Sequence, residues 1–404
     1  MVNWSGRKKF FTVLAFIAPT IIGLLIFNVY PIIYNTYISL TNRNQSHPNP
    51  DCEVALTGVI EPQCWPMFTK TTSGYSTPYR LQDPLFTNYT NLVGKLFTTE
   101  SMLNLLRLIG VLVPLFIASY VNKRMDKMLS RPISGLVVWF LGLLGAVLMV
   151  FVLDAPSAYA SLDKSGDFFI VVFRTILYVI CCVPLFFVLG LALALILNGN
   201  FIKGRTAFRT IMIMPWAAST MAIMLSLIWQ FFFRDAGTIN QILKIIGIEG
   251  KAWLTDPGWA FFIVVLVNVW FSYPYFMSII LGALQSIPQE QYEAAEVDGA
   301  NFMQRLTNIT LPLIRPAVLP AVVLSSITTF QMFGTVWAIT QGGPTRGAGT
   351  PGFTEMVMVY AYKQVFQSNA YGKAGAFAVI IFIFLFAATL LSMRTTKITK
   401  GAYE

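Results

Sequence analysis

Eight segments of the chain are each apolar over enough residues to cross a lipid bilayer as a helix. They lie near residues 11–37, 103–121, 136–153, 168–197, 210–233, 259–284, 313–338 and 374–393. A transmembrane helix needs about 20 mostly apolar residues to span the hydrocarbon core. Only 11% of the 404 residues are charged, against about 25% in an ordinary soluble domain. The sequence therefore predicts an all-α integral membrane protein with about eight transmembrane helices.

The basic residues indicate how the chain is threaded through the membrane. Eight spans place both termini on one side, and more than half of the 28 Lys and Arg residues fall on that side. Short loops rich in Lys and Arg stay in the cytoplasm, so we expect cytoplasmic N- and C-termini. The first span follows Arg7-Lys8-Lys9 without a small-residue cleavage site, which predicts that it remains as an anchor. The net charge of +10 is spread between apolar segments, and this argues against a nucleic-acid partner.

A polar stretch at residues 289–316 separates the sixth and seventh apolar segments. Its first part, 290–297, is rich in good helix formers, and Asp298-Gly299 supplies a stop. A second helical piece is predicted to run from Ala300 up to Pro312. We interpret the stretch as a helix-turn-helix elbow at the cytoplasmic membrane surface. The alternative is an amphipathic linker without a specific role.

Neutral polar and aromatic side chains recur at helical spacing within three neighbouring spans. They are Trp216 and Thr220 in the fifth span, Asn268, Phe271, Ser272 and Tyr275 in the sixth, and Ser325, Thr328, Thr329 and Met332 in the seventh. Intramembrane Ser, Thr and Asn commonly hydrogen-bond one helix to another, and this is the alternative interpretation of each residue. Three such stripes together favour a ligand site. Aromatic faces beside uncharged hydrogen-bonding groups suit a sugar.

The residue types missing from the eight predicted spans restrict the function further. They contain no Asp or Glu, the side chains that proton and sodium relays use. This argues against ion-coupled transport, and no metal, cofactor or hydrolase site is indicated. The segment 199–206 approaches a phosphate-binding loop, but Arg205 replaces the required Lys and no buried strand precedes it.

Four cysteines fall into two pairs. Cys52 and Cys64 lie in the polar segment between the first two spans, where an oxidising compartment makes them a candidate disulfide. Cys181 and Cys182 lie mid-span, and we expect them to act as small apolar residues.

The fourth span carries two further features. Gly190 and Ala194 form a pair of small residues one helical turn apart, which predicts close packing against another helix. Arg174 lies near the outer end of the span, where we expect its side chain to reach the lipid headgroups.

The elbow resembles a known motif. Glu293-Ala294-Ala295, Asp298-Gly299-Ala300 and the later Ile309-Thr310-Leu311-Pro312 are similar to the EAA motif of membrane subunits of binding-protein-dependent ABC importers. The stretches 282–288, 268–275 and 340–344 resemble the MalF-type permease subunit of maltose and trehalose importers. This resemblance covers residues 168–400 and the first span.

The resemblance implies a type I ABC importer permease fold with an extra N-terminal helical hairpin. It implies four kinds of partner besides the lipid bilayer: a second permease subunit in a heterodimer, a pair of cytoplasmic ABC ATPases, an extracytoplasmic sugar-binding protein and the sugar. The ATPases would hydrolyse ATP, so the chain itself is expected to be no enzyme and to need no cofactor. We expect it in a prokaryotic plasma membrane.

The resemblance also assigns roles to residues. Those expected to couple to the ATPase are Glu293, Ala294, Ala295, Asp298, Gly299 and Ala300. The residues of the three stripes match positions that contact sugar in the maltose permease. Thr328, Thr329 and Met332 depart from that permease's residue types, which leaves the identity of the sugar open.

We expect five regions along the chain. They are a tail and first span at 1–40, an extracytoplasmic loop at 41–102, an inserted hairpin at 103–153, a permease core at 168–393 with the coupling loop at 285–316, and a cytoplasmic tail at 394–404. Two alternatives remain open for the function. One is a secondary transporter or channel for a neutral solute that needs no ATPase, and the other is a structural membrane scaffold.

Overall fold

The computed structural model describes residues 6–44, 79–94, 99–128, 135–165, 167–199, 204–345, 347 and 350–396. Across these residues the chain is helical, apart from turns and an isolated antiparallel bridge between Thr41 and Leu81. Its contacts divide it into two units. The first unit comprises Met1–Lys95 and Ala361–Phe384, and the second comprises Leu96–Tyr360 and Leu385–Glu404.

We number the α-helices in chain order. They are α1 Gly6–Leu24, α2 Tyr30–Ser39, α3 Thr87–Val93, α4 Thr99–Gly110, α5 Val113–Met128, α6 Gly135–Val152, α7 Ala155–Ser165, α8 Asp167–Asn198, α9 Arg205–Ala217, α10 Ala222–Phe232, α11 Thr238–Ile245, α12 Pro257–Gln285, α13 Gln289–Val297, α14 Phe302–Arg305, α15 Leu311–Phe330, α16 Gly334–Thr340, α17 Val357–Tyr362 and α18 Tyr371–Thr396. Short turns of π or 3₁₀ helix connect several of them, at Leu25–Val29, Ala218–Met221, Leu306–Thr310 and Lys363–Gln367.

Seven helices of the described part are long and apolar enough to cross a membrane, and a bent pair makes an eighth. The seven are Phe11–Ser39, Thr99–Asn122, Phe169–Asn198, Arg205–Phe232, Pro257–Gln285, Phe302–Phe330 and Tyr371–Leu390. The bent pair, Val137–Val152 and Ala155–Leu162, meets at 63°. The bend falls at Asp154, whose φ of 46° interrupts the helix. Each predicted segment overlaps one of these spans, so the prediction of a helical membrane protein is confirmed.

The seventh span begins earlier than the sequence predicts. The expected break before Pro312 is wrong, because helical structure runs without interruption from Phe302 to Phe330. In the π turn Leu306–Thr310, the Leu311 N–H donates to the carbonyl of Leu306. This wider turn accommodates a proline, which has no N–H to donate and whose ring crowds the preceding turn.

The seventh span also ends earlier than predicted. The expected helix to residue 338 stops at Phe330, and α16 follows after a turn that contains Met332. Helix α16 packs against α10 and α12. The contact is close at Gly334, where an added Cβ would lie 3.0 Å from Cγ1 of Ile223. The chain therefore turns after Phe330 so that α16 packs against α10 and α12, and the span does not continue straight to residue 338.

Helix α12 is the most buried span of the second unit and packs along α8. The Asp256 side chain caps its start by accepting hydrogen bonds from the Gly258 and Trp259 N–H groups, each at 3.0 Å. Gly190 of α8 lies directly against α12, because an added Cβ would be 2.7 Å from the Phe276 Cβ. The predicted close packing of the fourth span is thus confirmed.

The predicted hairpin, residues 103–153, lies in the second unit, where the helices α4 to α7 pack in two pairs. Helix α5 packs on α6, and α4 packs on α7. Gly142 permits the first contact, since a Cβ there would lie 2.6 Å from the Ala118 Cβ. The second contact is polar: Asn104 Nδ2 donates to Ser161 Oγ at 3.1 Å.

In the first unit, the start of α18 packs against the end of α2 and the residues after it. Gly372 has no room for a Cβ beside the Thr41 carbonyl and the Asn88 amide. Its N–H donates to the Arg43 carbonyl at 3.0 Å. The Asn88 amide donates to the carbonyls of Ser39 and Thr41, each at 2.8 Å, and so fixes α3 to the same place.

Candidate functional site

The structure brings two of the predicted aromatic residues together. The rings of Trp216 on α9 and Tyr275 on α12 stack at 6.1 Å with an interplanar angle of 30°. Trp216 is 45% exposed and Tyr275 is half-buried. Thr220 lies in the 3₁₀ turn that follows α9 and is exposed. These residues form an accessible aromatic surface with a hydroxyl nearby in the chain.

The remaining residues of the α12 stripe divide between the surface and the core. Ser272 is half-buried, and its hydroxyl donates to Asn268 Oδ1 at 3.4 Å. Asn268 itself is fully buried, and Phe271 is buried against Trp270, with ring centroids 5.0 Å apart. Asn268 and Phe271 therefore pack inside the subunit, whereas Ser272 and Tyr275 remain accessible.

Asn268 belongs to a buried polar cluster between α8 and α12. Its neighbours there are Tyr178 and Cys182, which are both completely buried. Asn268 Nδ2 and the Tyr178 hydroxyl have no hydrogen-bond partner among the residues described. Such buried polar groups are costly in an apolar surrounding. Sequence reasoning missed the cluster because Tyr178 and Asn268 lie on different spans.

The stripe on the seventh span also has an inner and an outer side. Ser325 and Thr329, one turn apart on α15, are buried. Thr328 is exposed, and its hydroxyl donates to the Ser325 carbonyl at 3.1 Å. Met332 lies beyond the end of the helix and packs against the hydrophobic core. Thr328 is therefore the residue of this stripe that a ligand reaches most readily.

The elbow contains the helix, stop and second helix that the sequence predicts. Helix α13 ends in a Schellman motif: the Ala300 N–H donates to the Ala295 carbonyl at 2.8 Å and the Gly299 N–H to the Glu296 carbonyl at 3.0 Å. Gly299 has a φ of 76°, which side chains with a Cβ rarely adopt. Ala295, Gly299 and Ala300 thus shape the turn directly.

Side-chain contacts stabilise the elbow further. The Tyr292 hydroxyl lies 3.0 Å from the Thr310 hydroxyl, and Arg305 forms an ion pair with Glu296. A capping box between Asn301 and Gln304 starts the second helix, with hydrogen bonds of 2.8 and 2.9 Å. The elbow is consequently connected to the seventh span by more than its backbone.

The elbow carries both polar and apolar side chains that are exposed. Glu293, Ala294 and Asp298 are exposed. Val297 is 89% exposed, and Phe302 and Met303 are also exposed. Exposed apolar side chains within a polar segment are typical of surfaces that contact another protein. Sequence reasoning overlooked Val297, Phe302 and Met303, although their apolar character within the polar stretch was a usable signal.

Arg174 does not reach the lipid headgroups as expected. It is only 3% exposed, and its guanidinium donates to the Gly352 carbonyl at 2.6 Å and to the Tyr159 hydroxyl at 3.0 Å. It also lies 5.3 Å from the centre of the Phe353 ring. The physical reason for the correction is that these carbonyls and rings solvate the charge inside the protein. Arg174 fixes the segment before α17 to α8.

Of the two cysteine pairs, only the second lies within the described residues. Cys52 and Cys64 lie outside the described residues, so their pairing stays a prediction. Cys181 and Cys182 are free thiols, half-buried and buried respectively. Within the described ranges, no group of three or more His, Cys, Asp or Glu side chains is placed to hold a metal ion.

The spans define a helical, multi-pass membrane protein. Residues 187–396, just over half of the chain, match the family described as "Binding-protein-dependent transport system inner membrane component". The chain therefore belongs to this family, whose members lie in the inner membrane.

The chain is also similar in sequence to individual transport proteins. The chain is 34% identical over 233 residues to the maltose/maltodextrin transport system permease protein MalF of Vibrio vulnificus, covering 56% of this chain and 44% of that protein. It is 32% identical over 240 residues to the trehalose/maltose transport system permease protein MalF of Thermococcus litoralis, covering 59% of this chain and 78% of that protein. The matched region thus spans less than half of the Vibrio relative.

A solved structure of a bacterial alginate ABC transporter, in complex with its alginate-bound periplasmic protein, also aligns with the chain. The sequence identity is 24% and the TM-score is 0.47, and the alignment covers 65% of this chain and 92% of that chain.

Proposed function

We propose that the chain is a transmembrane permease subunit of an ATP-driven importer. It moves a neutral oligosaccharide, of the maltose/maltodextrin or trehalose kind, from an extracytoplasmic binding protein into the cytoplasm. The observation that carries this proposal is the elbow. It joins α12, which presents Ser272 and Tyr275, to the span that presents Thr328. A partner that moves the elbow therefore moves two walls of the ligand site.

The elbow suits the transmission of force. Its turn is shaped by the Schellman motif at Gly299, and Tyr292 and Arg305 add side-chain links within it. We place the ATPase on the face formed by Glu293, Val297 and Phe302, where exposed charge and apolar area lie together. The chain then hydrolyses no ATP itself. Closure of the ATPase pair would push the elbow as one piece.

The accessible stripe residues suit a sugar. The stacked rings of Trp216 and Tyr275 offer an aromatic surface for the C–H face of a pyranose. Hydroxyl groups at Thr220, Ser272 and Thr328 can donate and accept hydrogen bonds without adding charge. Asn268 accepts a hydrogen bond from the Ser272 hydroxyl on the inner side. Phe271, Ser325 and Thr329 are buried, and Met332 packs against the hydrophobic core.

The proposed partners are those that the family resemblance implies, and the family match supports them. A second permease subunit would face Trp216, Thr220 and Thr328 and cover this surface, and the extracytoplasmic binding protein would deliver the sugar from outside. This arrangement requires N- and C-termini in the cytoplasm, so that the elbow meets the ATPase. The names of the relatives from Vibrio vulnificus and Thermococcus litoralis support maltose or trehalose as the sugar.

Purification of the membrane complex tests the proposal. We expect an ATPase and a second permease to copurify, and ATP-dependent sugar uptake in proteoliposomes that contain the complex and the binding protein. Uptake driven by an ion gradient without the ATPase would instead support a secondary transporter. Uptake unchanged by simultaneous alanine substitution of Asn268, Ser272 and Tyr275 would remove the sugar site from this surface.

A further inference from the structure

The first unit contains a polar pocket of about 360 Å³ that shares no residue with the proposed transport site. Three segments of the chain form its wall: residues 41–44 after α2, the pair Gln82 and Asn88, and residues 368–373 around the start of α18. All of them belong to the first unit. The pocket therefore lies where the first predicted span ends and the last one begins.

Arg43 stabilises the wall of the pocket. Its guanidinium lies 4.9 Å from the centre of the Tyr371 ring and 5.5 Å from that of Tyr79, and Nη1 donates to the Tyr34 hydroxyl at 3.2 Å. Cation–π contacts of this kind are attractive and directional. These two rings and the Tyr34 hydroxyl thus stabilise the charge of Arg43. The contact with Tyr371 holds the segment 41–44 against the start of α18.

The amides in the pocket leave one acceptor unused. Because Asn88 Nδ2 donates to the Ser39 and Thr41 carbonyls, its Oδ1 faces Gln82 and accepts a hydrogen bond from Nε2 at 3.2 Å. This chain of bonds determines the orientation of the Gln82 amide. Among the residues that the structure describes, the Gln82 Oε1 atom then has no hydrogen-bond partner although it is buried, which is unfavourable until a donor reaches it.

The other lining groups supply donors. Lys373 is exposed and carries an ammonium group, and the exposed Ser368 hydroxyl can both donate and accept. No acidic residue occurs among the described lining residues. A ligand group with acceptor oxygens alone, such as a carboxylate, would satisfy Lys373 but would offer no donor to Gln82 Oε1. Neighbouring hydroxyl groups satisfy both, because one donates to Gln82 while another accepts from Lys373.

We propose that this pocket is a second sugar-binding site, which holds one neutral pyranose residue through its hydroxyl groups. The inference rests on the proposed function, which makes a sugar the cargo and places this end of the first span outside the cytoplasm. The site would hold a sugar residue on the entry side of the permease, apart from the aromatic surface of Trp216 and Tyr275.

Protection of an introduced cysteine tests the site. Ser368→Cys, in the full complex in intact cells, is labelled with a membrane-impermeant maleimide with and without maltose. We expect maltose at about ten times its Kd to slow labelling about tenfold, as mass action requires. Thr90→Cys, an exposed position on α3 outside the pocket, is the matched control and should show no protection. The chain without an added cysteine reports the background from native thiols.

Further variants separate this site from the transport site. Protection should persist when Tyr275→Ala is added and should weaken severalfold with Gln82→Leu or with Lys373→Met. Lys373→Met changes an exposed side chain, so it keeps the test valid if Gln82→Leu fails to fold. Sugar uptake is measured in parallel, so that failure of the transport site is seen independently.

Three results would overturn the inference. The first is equal labelling of Ser368→Cys with and without maltose. The second is protection that disappears with Tyr275→Ala but survives Gln82→Leu and Lys373→Met, because the label would then report the transport site. The third is protection by glucuronate as strong as that by maltose, which would identify an anion site.

Discussion

The Tyr292 hydroxyl lies 3.0 Å from the Thr310 hydroxyl and links the elbow helix α13 to the π turn of the seventh span. The two residues are 18 positions apart in the chain and lie on opposite sides of the Gly299 turn. Their hydrogen bond therefore cross-links the two helical parts of the elbow. We therefore expect movement of α13 to be transmitted to the span.

Tyr292→Phe removes this hydrogen bond and keeps the ring. A hydrogen bond contributes about 0.5–1.5 kcal/mol, so we expect sugar-stimulated ATPase activity to fall about two- to tenfold. Basal ATPase activity and membrane insertion should stay normal. Tyr120→Phe, the same change on an exposed tyrosine of the hairpin, is the control. Full stimulation in Tyr292→Phe would show that the bond has no part in coupling.

Gly299→Ala places a Cβ on a residue with a φ of 76°. The left-handed conformation costs about 1–2 kcal/mol for such a residue, so the turn should distort and coupling should fall about five- to thirtyfold. Gly282→Ala is a matched control, since that glycine lies in α12, is exposed and has no neighbour within 4 Å of an added Cβ. ATPase stimulation by the loaded binding protein measures both. Equal stimulation in the two variants would contradict the prediction.

Trp216→Leu removes one ring of the stacked pair with Tyr275. Aromatic contacts contribute about 0.5–1.5 kcal/mol beyond their area, so the KM for sugar uptake should rise about two- to tenfold. Trp139→Leu is the control, because Trp139 is 43% exposed, close to the 45% of Trp216, and lies on α6. Uptake kinetics with radiolabelled maltose distinguish the two. An unchanged KM in Trp216→Leu would exclude ring stacking with the sugar.

Gly190→Ala forces a methyl group into the contact between α8 and α12. The added Cβ would lie 2.7 Å from the Phe276 Cβ and 2.8 Å from the Met277 nitrogen, so the helices must separate. Overpacking of this kind costs about 1–3 kcal/mol. We expect a lower thermal unfolding midpoint for the complex in detergent. Gly23→Ala, with no atom within 4 Å of its added Cβ, should leave the midpoint unchanged. A normal midpoint for Gly190→Ala would mean that the two helices are loosely packed.

Arg174→Met leaves the Gly352 carbonyl without its 2.6 Å donor. The Gly352 carbonyl keeps the Glu355 N–H as a donor at 3.1 Å, but loss of a hydrogen bond from a charged donor costs about 1.5–3 kcal/mol. The segment before α17 should therefore open more often. Limited proteolysis near residues 350–356 should become several times faster. Arg80→Met, at an exposed position, is the control and should leave the proteolysis rate unchanged. An unchanged rate in Arg174→Met would show that other contacts hold the segment.

Local sequence patterns were sufficient to predict where the spans and the elbow lie in the chain. Apolar length predicts each span because the hydrocarbon core sets one requirement for every helix that crosses it. The stop at Asp298-Gly299 was predictable as well, since Gly readily adopts the left-handed conformation. The end of the seventh span at Phe330 was not predictable in this way. It depends on the packing of α16 against α10 and α12, which lie elsewhere in the chain.

The sequence by itself determined the membrane class, the family motif and the residue types available for a sugar. Only the tertiary structure decided which residues of the stripes face outward, separating Trp216, Ser272 and Tyr275 from the buried Asn268 and Ser325. Tertiary contacts also bury the Arg174 side chain inside the protein. The physical reason is that helical spacing specifies which residues share a face, while the neighbour that covers this face is specified by contacts between distant segments.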